Sequence, residues 1–170
     1  MKDLFVTAIA ILTGLLSGGC VPIPDYVMNK RVWFPEEVLS VSSPTSLRLD
    51  NGMTMSLYGI WVPQCLREEA LLWMRKHVVG EVVQASKDGG GSSAGVCIVL
   101  VRNNELLNAS LIRMGYSLYN GPPARSQDAL GYRDREMRMA EDQARSERIG
   151  LWSRMTPKEI EDLRTSFSSH

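Results

Sequence analysis

Apolar and polar positions along the chain fall into runs of two periods. Val38 and Val41 mark a short strand, and Leu47, Leu49, Met53, Met55 and Leu57 alternate with polar residues on either side of Asn51-Gly52. Two alternating runs joined by Asn-Gly predict a β-hairpin with a type I′ turn, whose two central positions both need positive φ. A three-stranded meander is therefore expected over 38–61. The period then changes. Ala70, Trp73, Met74, His77 and Val78 recur at helical spacing ahead of Gly80, predicting a helix over 66–79. Residues 82–85 and 96–101 read as two more strands. The KDGGGSSAG stretch between them has neither the Gly-Lys-Ser/Thr ending nor the following helix of a phosphate-binding loop. Asn108 starts a short helix through Ile112 and Met114 that Gly115 closes. A loop with Tyr119, Gly121, Pro122 and Pro123 leads to a longer helix over 129–149. Met137, Ala140, Ala144 and Leu151 form its inward stripe, Glu141 and Arg145 an i,i+4 pair, and Gly150 its end. Thr156-Pro157-Lys158-Glu159 is a capping box with Pro at the first helical position, so a terminal helix is expected over 157–167.

The first twenty residues, MKDLFVTAIAILTGLLSGGC, carry Lys2, an apolar run from Leu4 to Leu16 and small residues closing on Cys20. That run is too short to span a bilayer and has the layout of a secretory signal. LLSGGC resembles a lipobox, which makes 1–19 a lipoprotein signal peptide and Cys20 the lipidated new N-terminus; the alternatives are an ordinary cleaved signal or an uncleaved anchor. Two or more acyl chains would hold the protein stably on a membrane. Val21 follows the cysteine where Asp would otherwise signal retention, so the expected location is the cell envelope, on the outer membrane facing the periplasm in a Gram-negative host. Residues 20–31 contain Pro22 and Pro24 without periodicity and read as a tether. The folded domain is expected over 32–155, and a C-terminal helix and tail over 156–170. In an oxidising compartment Cys65 and Cys97 either form a disulfide or remain two buried thiols, and sequence leaves both open.

Composition narrows the picture little. At 170 residues and 44% apolar, the chain can bury one ordinary core, and Lys+Arg 19 against Asp+Glu 19 leaves no global field toward nucleic acid or an anionic surface. His77 falls at the edge of an apolar helix face. With His170 the only other histidine, no Ser-His-Asp or Cys-His site is assembled.

Five strands, with a helix after the third and two more after the fifth, is the order of an OB-fold barrel with helical additions. LYGIWVP, EEALLWMRKHVVGEVV, LLNASLIRMGYSLY and AEDQARSERIGLW follow one another over 38–152. Together they resemble the staphylococcal-nuclease-like (thermonuclease) domain. The resemblance implies an α+β fold: a five-stranded OB-fold β-barrel with about three packed helices, plus the short C-terminal helix.

It also implies where chemistry would sit. Active members hold calcium with an Asp of the first hairpin and the Asp of a Gly-Ile-Asp-Ala-Pro-Glu run, whose Glu activates water, while two arginines clamp the phosphate. Carried onto this chain, the first Asp falls near Thr45, the first Arg on Ser56, the second Asp on Trp61, the Glu on Gln64 and the second Arg near Gly95. All five are replaced. Losing one transition-state donor costs roughly 10² to 10³ in rate and losing a general base roughly 10² to 10⁴. The expectation is a degenerate site with no catalytic residues, no metal and no cofactor. Asp50, Glu68, Glu69 and Asp88 lie nearby in sequence but read as turn, helix-start or surface charges.

The expected function is thus that of a non-catalytic lipoprotein, a structural or protein-binding component of an envelope assembly such as a secretion or conjugation machine. Trp61 either fills the former metal cleft from within or anchors a partner, and Trp33 and Phe34 would extend an exposed apolar surface. One alternative is nucleic-acid binding without cleavage, with Tyr119 beside Pro122 and Pro123 resembling the loop over the family's nucleotide pocket; the arginines of 125–154, interleaved with acids, form no basic stripe for it. A residual calcium-dependent endonuclease is the other.

Overall fold

The computed structural model describes residues 35–86, 95–121 and 131–168. Cys20, Trp33, Phe34, Asp88, Pro122 and Pro123 lie outside them, as does the sequence assigned to the signal peptide and tether. No helix among the described residues is long and apolar enough to cross a membrane.

The sheet grows from the alternation seen in the sequence. β1 (Glu36–Ser43), β2 (Ser46–Leu49) and β3 (Thr54–Ser56) form an antiparallel meander that sends Val38, Val41, Leu47, Leu49 and Met55 to one side. The hairpin at Asn51-Gly52 forms, but not with a type I′ turn. Only Gly52 has positive φ, at 82°. Its N–H donates to Leu49 O (3.0 Å), the Leu49 N–H donates to Met53 O (2.9 Å), and the Asn51 carboxamide accepts the Met53 N–H (2.9 Å). This is a three-residue loop with a glycine bulge; Asp50 adds the extra residue, and Asn51 works through its side chain rather than its backbone.

The meander is also shorter than expected. After Ser56 the chain turns through Gly59, at φ 67°, and β4 (Ile60–Trp61) leaves the main sheet to pair with β8 (Leu118–Tyr119). The sheet continues on the other side of β1 through β5 (Val82–Ser86), β6 (Cys97–Leu100) and β7 (Glu105–Leu106), giving the order β3-β2-β1-β5-β6-β7. β3 and β6 meet through one parallel bridge, Leu57 to Val96, with Val96 N–H donating to Ser56 O (2.8 Å) and Tyr58 N–H to Val96 O (2.9 Å). The result is an OB-like barrel that closes at a single point, where the chain just past β3 meets the chain just before β6.

Asn108 secures that point. It lies in the first turn of α2 (Leu107–Arg113), fully buried, where its Oδ1 accepts the Ile98 N–H (3.0 Å) and its Nδ2 donates to Tyr58 O (2.8 Å) and Val96 O (3.2 Å). A helix-start reading of Asn108 misses this role, because the partners come from other elements.

All four β6 residues are buried because both of its faces are covered. Ile98 and Leu100 face the barrel interior, where Met74 and Val78 of α1 (Arg67–Val78) meet them; Cys97 and Val99 face Ala109 and Ile112 of α2 and Met137 and Ala140 of α3 (Tyr132–Glu147). Each fully buried Met or Val side chain contributes about 1.5–3 kcal/mol relative to exposure. Trp73 is half-buried, and His77 stacks on it at 4.9 Å while its Nδ1–H donates to Trp73 O (2.8 Å). That is the edge position the spacing predicts.

α2 and α3 end in the same way. Gly115, at φ 68°, completes a Schellman motif in which its N–H donates to Ile112 O and the Tyr116 N–H to Leu111 O. α3 stops at Glu147, two residues earlier than expected, and Arg148, at φ 55°, takes the left-handed position, with Ile149 N–H reaching Ala144 O (3.0 Å). Gly150 belongs instead to the turn into α4 (Leu151–Arg154). The inward stripe of Met137, Ala140, Ala144 and Leu151 is buried as predicted. Glu141, however, is ion-paired with Arg164 of α5 (Pro157–Ser168), while the Arg145 guanidinium lies over Trp152. The expected local pair gives way to two tertiary contacts, since Glu141 is buried and Arg164 reaches it from the packed helix. The capping box forms: Glu159 accepts both the N–H and the hydroxyl of Thr156 (2.7 and 2.8 Å), and Thr156 Oγ1 accepts the Glu159 N–H (3.3 Å).

Candidate functional site

Pro63 ends β4 and opens the 3-10 turn Gln64–Leu66, which leads directly into α1. This sets the end of β4 against the β1–β2 turn. Between them lies a cleft of about 440 Å³. Ser43 and Thr45 line one wall, and Ile60, Trp61, Gln64 and Arg67 the other.

Three of the five positions to which the resemblance assigns chemistry, Thr45, Trp61 and Gln64, thus come together. Thr45 uses its backbone to hold the wall, its carbonyl accepting the Leu57 N–H (2.8 Å) and its N–H donating to Ser43 Oγ (3.3 Å). Trp61 is half-buried. It lines the cleft with part of its surface and packs with the rest against the cluster of Leu66, Leu118, Leu151 and Trp152. Filling from within and presenting an aromatic surface are therefore combined in one residue. Gln64 is exposed at the mouth.

Ser56 and Gly95 do not line the cleft. Ser56 lies on β3 opposite Ser46, its carbonyl committed to the barrel closure. Gly95 packs on the backbone of Tyr58, where an added Cβ would lie 2.9 Å from Tyr58 Cα. An arginine cannot be restored there without moving one of the two strands.

Arg67 is the cleft residue that sequence reading missed. It stands at the first position of α1, one helical turn beyond Gln64, and is exposed. The only signal for it was a basic residue three positions after Gln64. No carboxylate lines the cleft, so its one formal charge among the described residues is the Arg67 guanidinium.

That donor set does not fit calcium. The ion takes about six to eight oxygens, carboxylates prominent among them; here two hydroxyls and one carboxamide stand beside a cation. Among the described residues no group of three or more His, Cys, Asp or Glu is placed to hold a metal ion. Of the nearby acids, Asp50 and Glu69 are engaged elsewhere. Asp50 and Glu36 share a hydrogen bond that raises the Glu36 carboxyl and lowers that of Asp50. Glu69 forms a two-point pair with Arg154 (2.7 and 2.8 Å), which holds its carboxyl below the usual range.

Tyr119 is not an open stacking face. It is buried in the helix-side cluster, its hydroxyl donates to Asp134 Oδ1 (2.9 Å) and Arg138 lies 4.6 Å from its ring centroid. Burial, and then the bond to Asp134, push its phenol well above the usual value, and burial beside the same carboxylate pushes Tyr58 up to about 12. Pairing with β4 turns the ring inward, which the loop sequence alone did not reveal. Nor do Cys65 and Cys97 form a bridge: Cys65 is exposed on the 3-10 turn and Cys97 is buried in β6. The reading as two buried thiols fails at Cys65, because the turn faces outward there.

Residues 43–154 match the family model described as Staphylococcal nuclease homologue, and the match spans the cleft, the barrel closure and α1 to α4. No curated protein matches the chain.

Proposed function

Because the chain belongs to the staphylococcal nuclease homologue family but has, among the described residues, no carboxylate in the cleft where that family would hold calcium, we propose that it binds rather than hydrolyses. Its role on this reading is that of a non-catalytic lipoprotein, anchored through Cys20, whose domain docks a protein partner in a cell-envelope assembly. The carboxylate-free cleft is the observation that carries the proposal. Without acidic ligands the metal is not recruited, and Gln64 accepts no proton near neutral pH. What remains suits recognition: Trp and Arg are two of the residue types most enriched at the energetic centres of interfaces, and Trp61 and Arg67 share one wall. The envelope location rests on the lipobox-like LLSGGC.

The same two residues favour a second reading. An aromatic face and a guanidinium are also what a single nucleic-acid strand uses for base stacking and phosphate pairing. The balanced net charge and the burial of Tyr119 weigh against it.

One assay separates these readings. The full chain, purified in mild detergent, is mixed with labelled single- and double-stranded DNA with and without millimolar Ca²⁺, and cleavage and anisotropy are followed together. Neither signal is expected. Calcium-dependent cleavage that persists through stringent purification overturns the non-catalytic reading. Salt-sensitive anisotropy without cleavage, lost in Arg67→Gln, replaces the protein partner by nucleic acid. Cys20→Ser should release the protein from membranes, and continued membrane fractionation would refute the lipid anchor.

A further inference from the structure

A second concavity, sharing no lining residue with the cleft, lies where α3, α4 and the start of α5 meet. It encloses about 480 Å³, and Arg145, Arg148 and Arg154 surround Trp152 there, with Thr156 and Glu159 at the edge. Arg154 is fixed by its two-point pair with Glu69, and Arg145 stacks with its guanidinium carbon 4.7 Å from the Trp152 ring centroid. Among the described residues Glu159 is the one carboxylate of the lining, and both its bonds go back to Thr156 in the capping box. Arg148 makes no ion pair among the described residues.

The backbone singles out Arg148 a second time. α2 and α3 end in the same Schellman motif, but where α2 uses Gly115 in the left-handed position, α3 uses Arg148, at φ 55° and ψ 48°. That conformation crowds the Cβ of any L-residue, and glycine or asparagine normally fills it. A strained non-glycine residue whose side chain lines a cavity is the pattern of a position kept for its side chain. Other arginines of α3 are differently placed: Arg133 pairs with Glu136, and Arg138 covers Tyr119.

We propose that this corner is a binding site for a phosphate-bearing ligand. Guanidinium groups present paired N–H donors that match phosphate oxygens. Arg154 and Arg145 are already held in place, by Glu69 and Trp152, so little of their freedom is lost on binding. Arg148 supplies a cation that no described carboxylate pairs. The cavity volume admits a phosphate together with a small polar substituent, either the headgroup of a phospholipid or a soluble phosphate ester.

The test is a calorimetric titration of the full chain in detergent micelles with inorganic phosphate at constant ionic strength. A saturable one-site isotherm is expected. Arg148→Gly removes the guanidinium and gives the left-handed position its preferred residue, so binding should weaken at least tenfold while thermal stability does not fall. Arg145→Gln should weaken binding as well, and Arg102→Gln, remote from the pocket, should leave it unchanged. Glycerophosphoglycerol, a deacylated headgroup diester, separates the two sources. Tighter binding than inorganic phosphate assigns a lipid headgroup, weaker binding assigns a soluble phosphate, and either upholds the site. A response that never saturates, or an isotherm unchanged by Arg148→Gly and Arg145→Gln, overturns it.

Discussion

Gly115 and Gly150 meet backbone to backbone. The Gly115 carbonyl accepts the Leu151 N–H at 3.0 Å, a Cβ on Gly150 would lie 2.5 Å from that same carbonyl oxygen, and a Cβ on Gly115 would collide with the carbonyl of Ile149. The end of α2 and the start of α4 can therefore approach only as two glycines. Gly115→Ala adds a left-handed penalty of about 1–2 kcal/mol to an overpacking cost of about 1–3 kcal/mol, for a total loss of about 2–5 kcal/mol in urea denaturation. Gly52→Ala provides the contrast. Its φ is also positive but nothing lies within 4 Å, so only the conformational penalty, about 1 kcal/mol, should appear. Equal losses at the two sites would refute the contact.

Asn108→Leu should destabilise the protein by at least about 2 kcal/mol in the same measurement. The substitution strands two buried backbone groups, the Ile98 N–H and the Tyr58 carbonyl, each costing about 1–3 kcal/mol when left unpaired, while the Val96 carbonyl keeps the Tyr58 N–H. A loss below 1 kcal/mol would mean that the barrel edges are held by other contacts.

Restoring acids to the cleft should not restore a metal site. In Trp61→Asp with Gln64→Glu, the indole is withdrawn from Leu66, Leu118 and Trp152, at a cost of about 2 kcal/mol for a half-buried Trp. Arg67 still opposes a cation, and Ser56 and Gly95 still lack the phosphate clamp. Millimolar Ca²⁺ should leave the melting temperature of the double variant unchanged; a clear upward shift would show that the donor set is closer to a calcium site than its geometry indicates.

Acid should remove part of the stability held by Glu69 and Glu159. Arg154 lowers the carboxyl of Glu69, and the Thr156 N–H and hydroxyl lower that of Glu159, both from an ordinary value of 4.5. A group lowered in the folded state contributes stability above its unfolded pKa and loses it as pH falls through the folded value. The loss therefore falls below pH 4.5. Thr156→Ala should cost about 1 kcal/mol at neutral pH and, with Glu159→Gln, flatten this acid limb of the stability profile. An unchanged profile would mean that the capping box contributes nothing.

What was legible in the sequence follows from the range of each interaction. The capping box at Thr156 and Glu159 and the glycine stop at Gly115 are settled within a few residues, and both form as read. The hairpin was legible but its turn type was not, because Asp50 competes with the Asn-Gly pair for the turn. Asn108 looked like a helix start, yet it answers to Tyr58, 50 positions away. Trp61 and Gln64 were placed at one site by resemblance, and the fold sets them together with Thr45. Arg67 joins them only because the 3-10 turn rotates α1's first residue into the cleft, which no local pattern announced. Tyr119 and Glu141 were misjudged for a related reason: β4 claims the one and Arg164 the other, from elsewhere in the chain.

The single bridge between Leu57 and Val96 also sets an order of events. A chain emerging from its N-terminus can zip β1, β2 and β3 locally, but the Ser56 carbonyl and the Tyr58 N–H have no partner until Val96 arrives, and that contact has no lock until Asn108 follows. Loop closure over so long a segment is entropically costly and comes late. A nascent chain thus carries an open half-barrel while residues 57 to 108 are being made, with the β3 edge exposed to any strand that reaches it first. The step vulnerable to mispairing is the interval between residues 57 and 108, not the formation of either half.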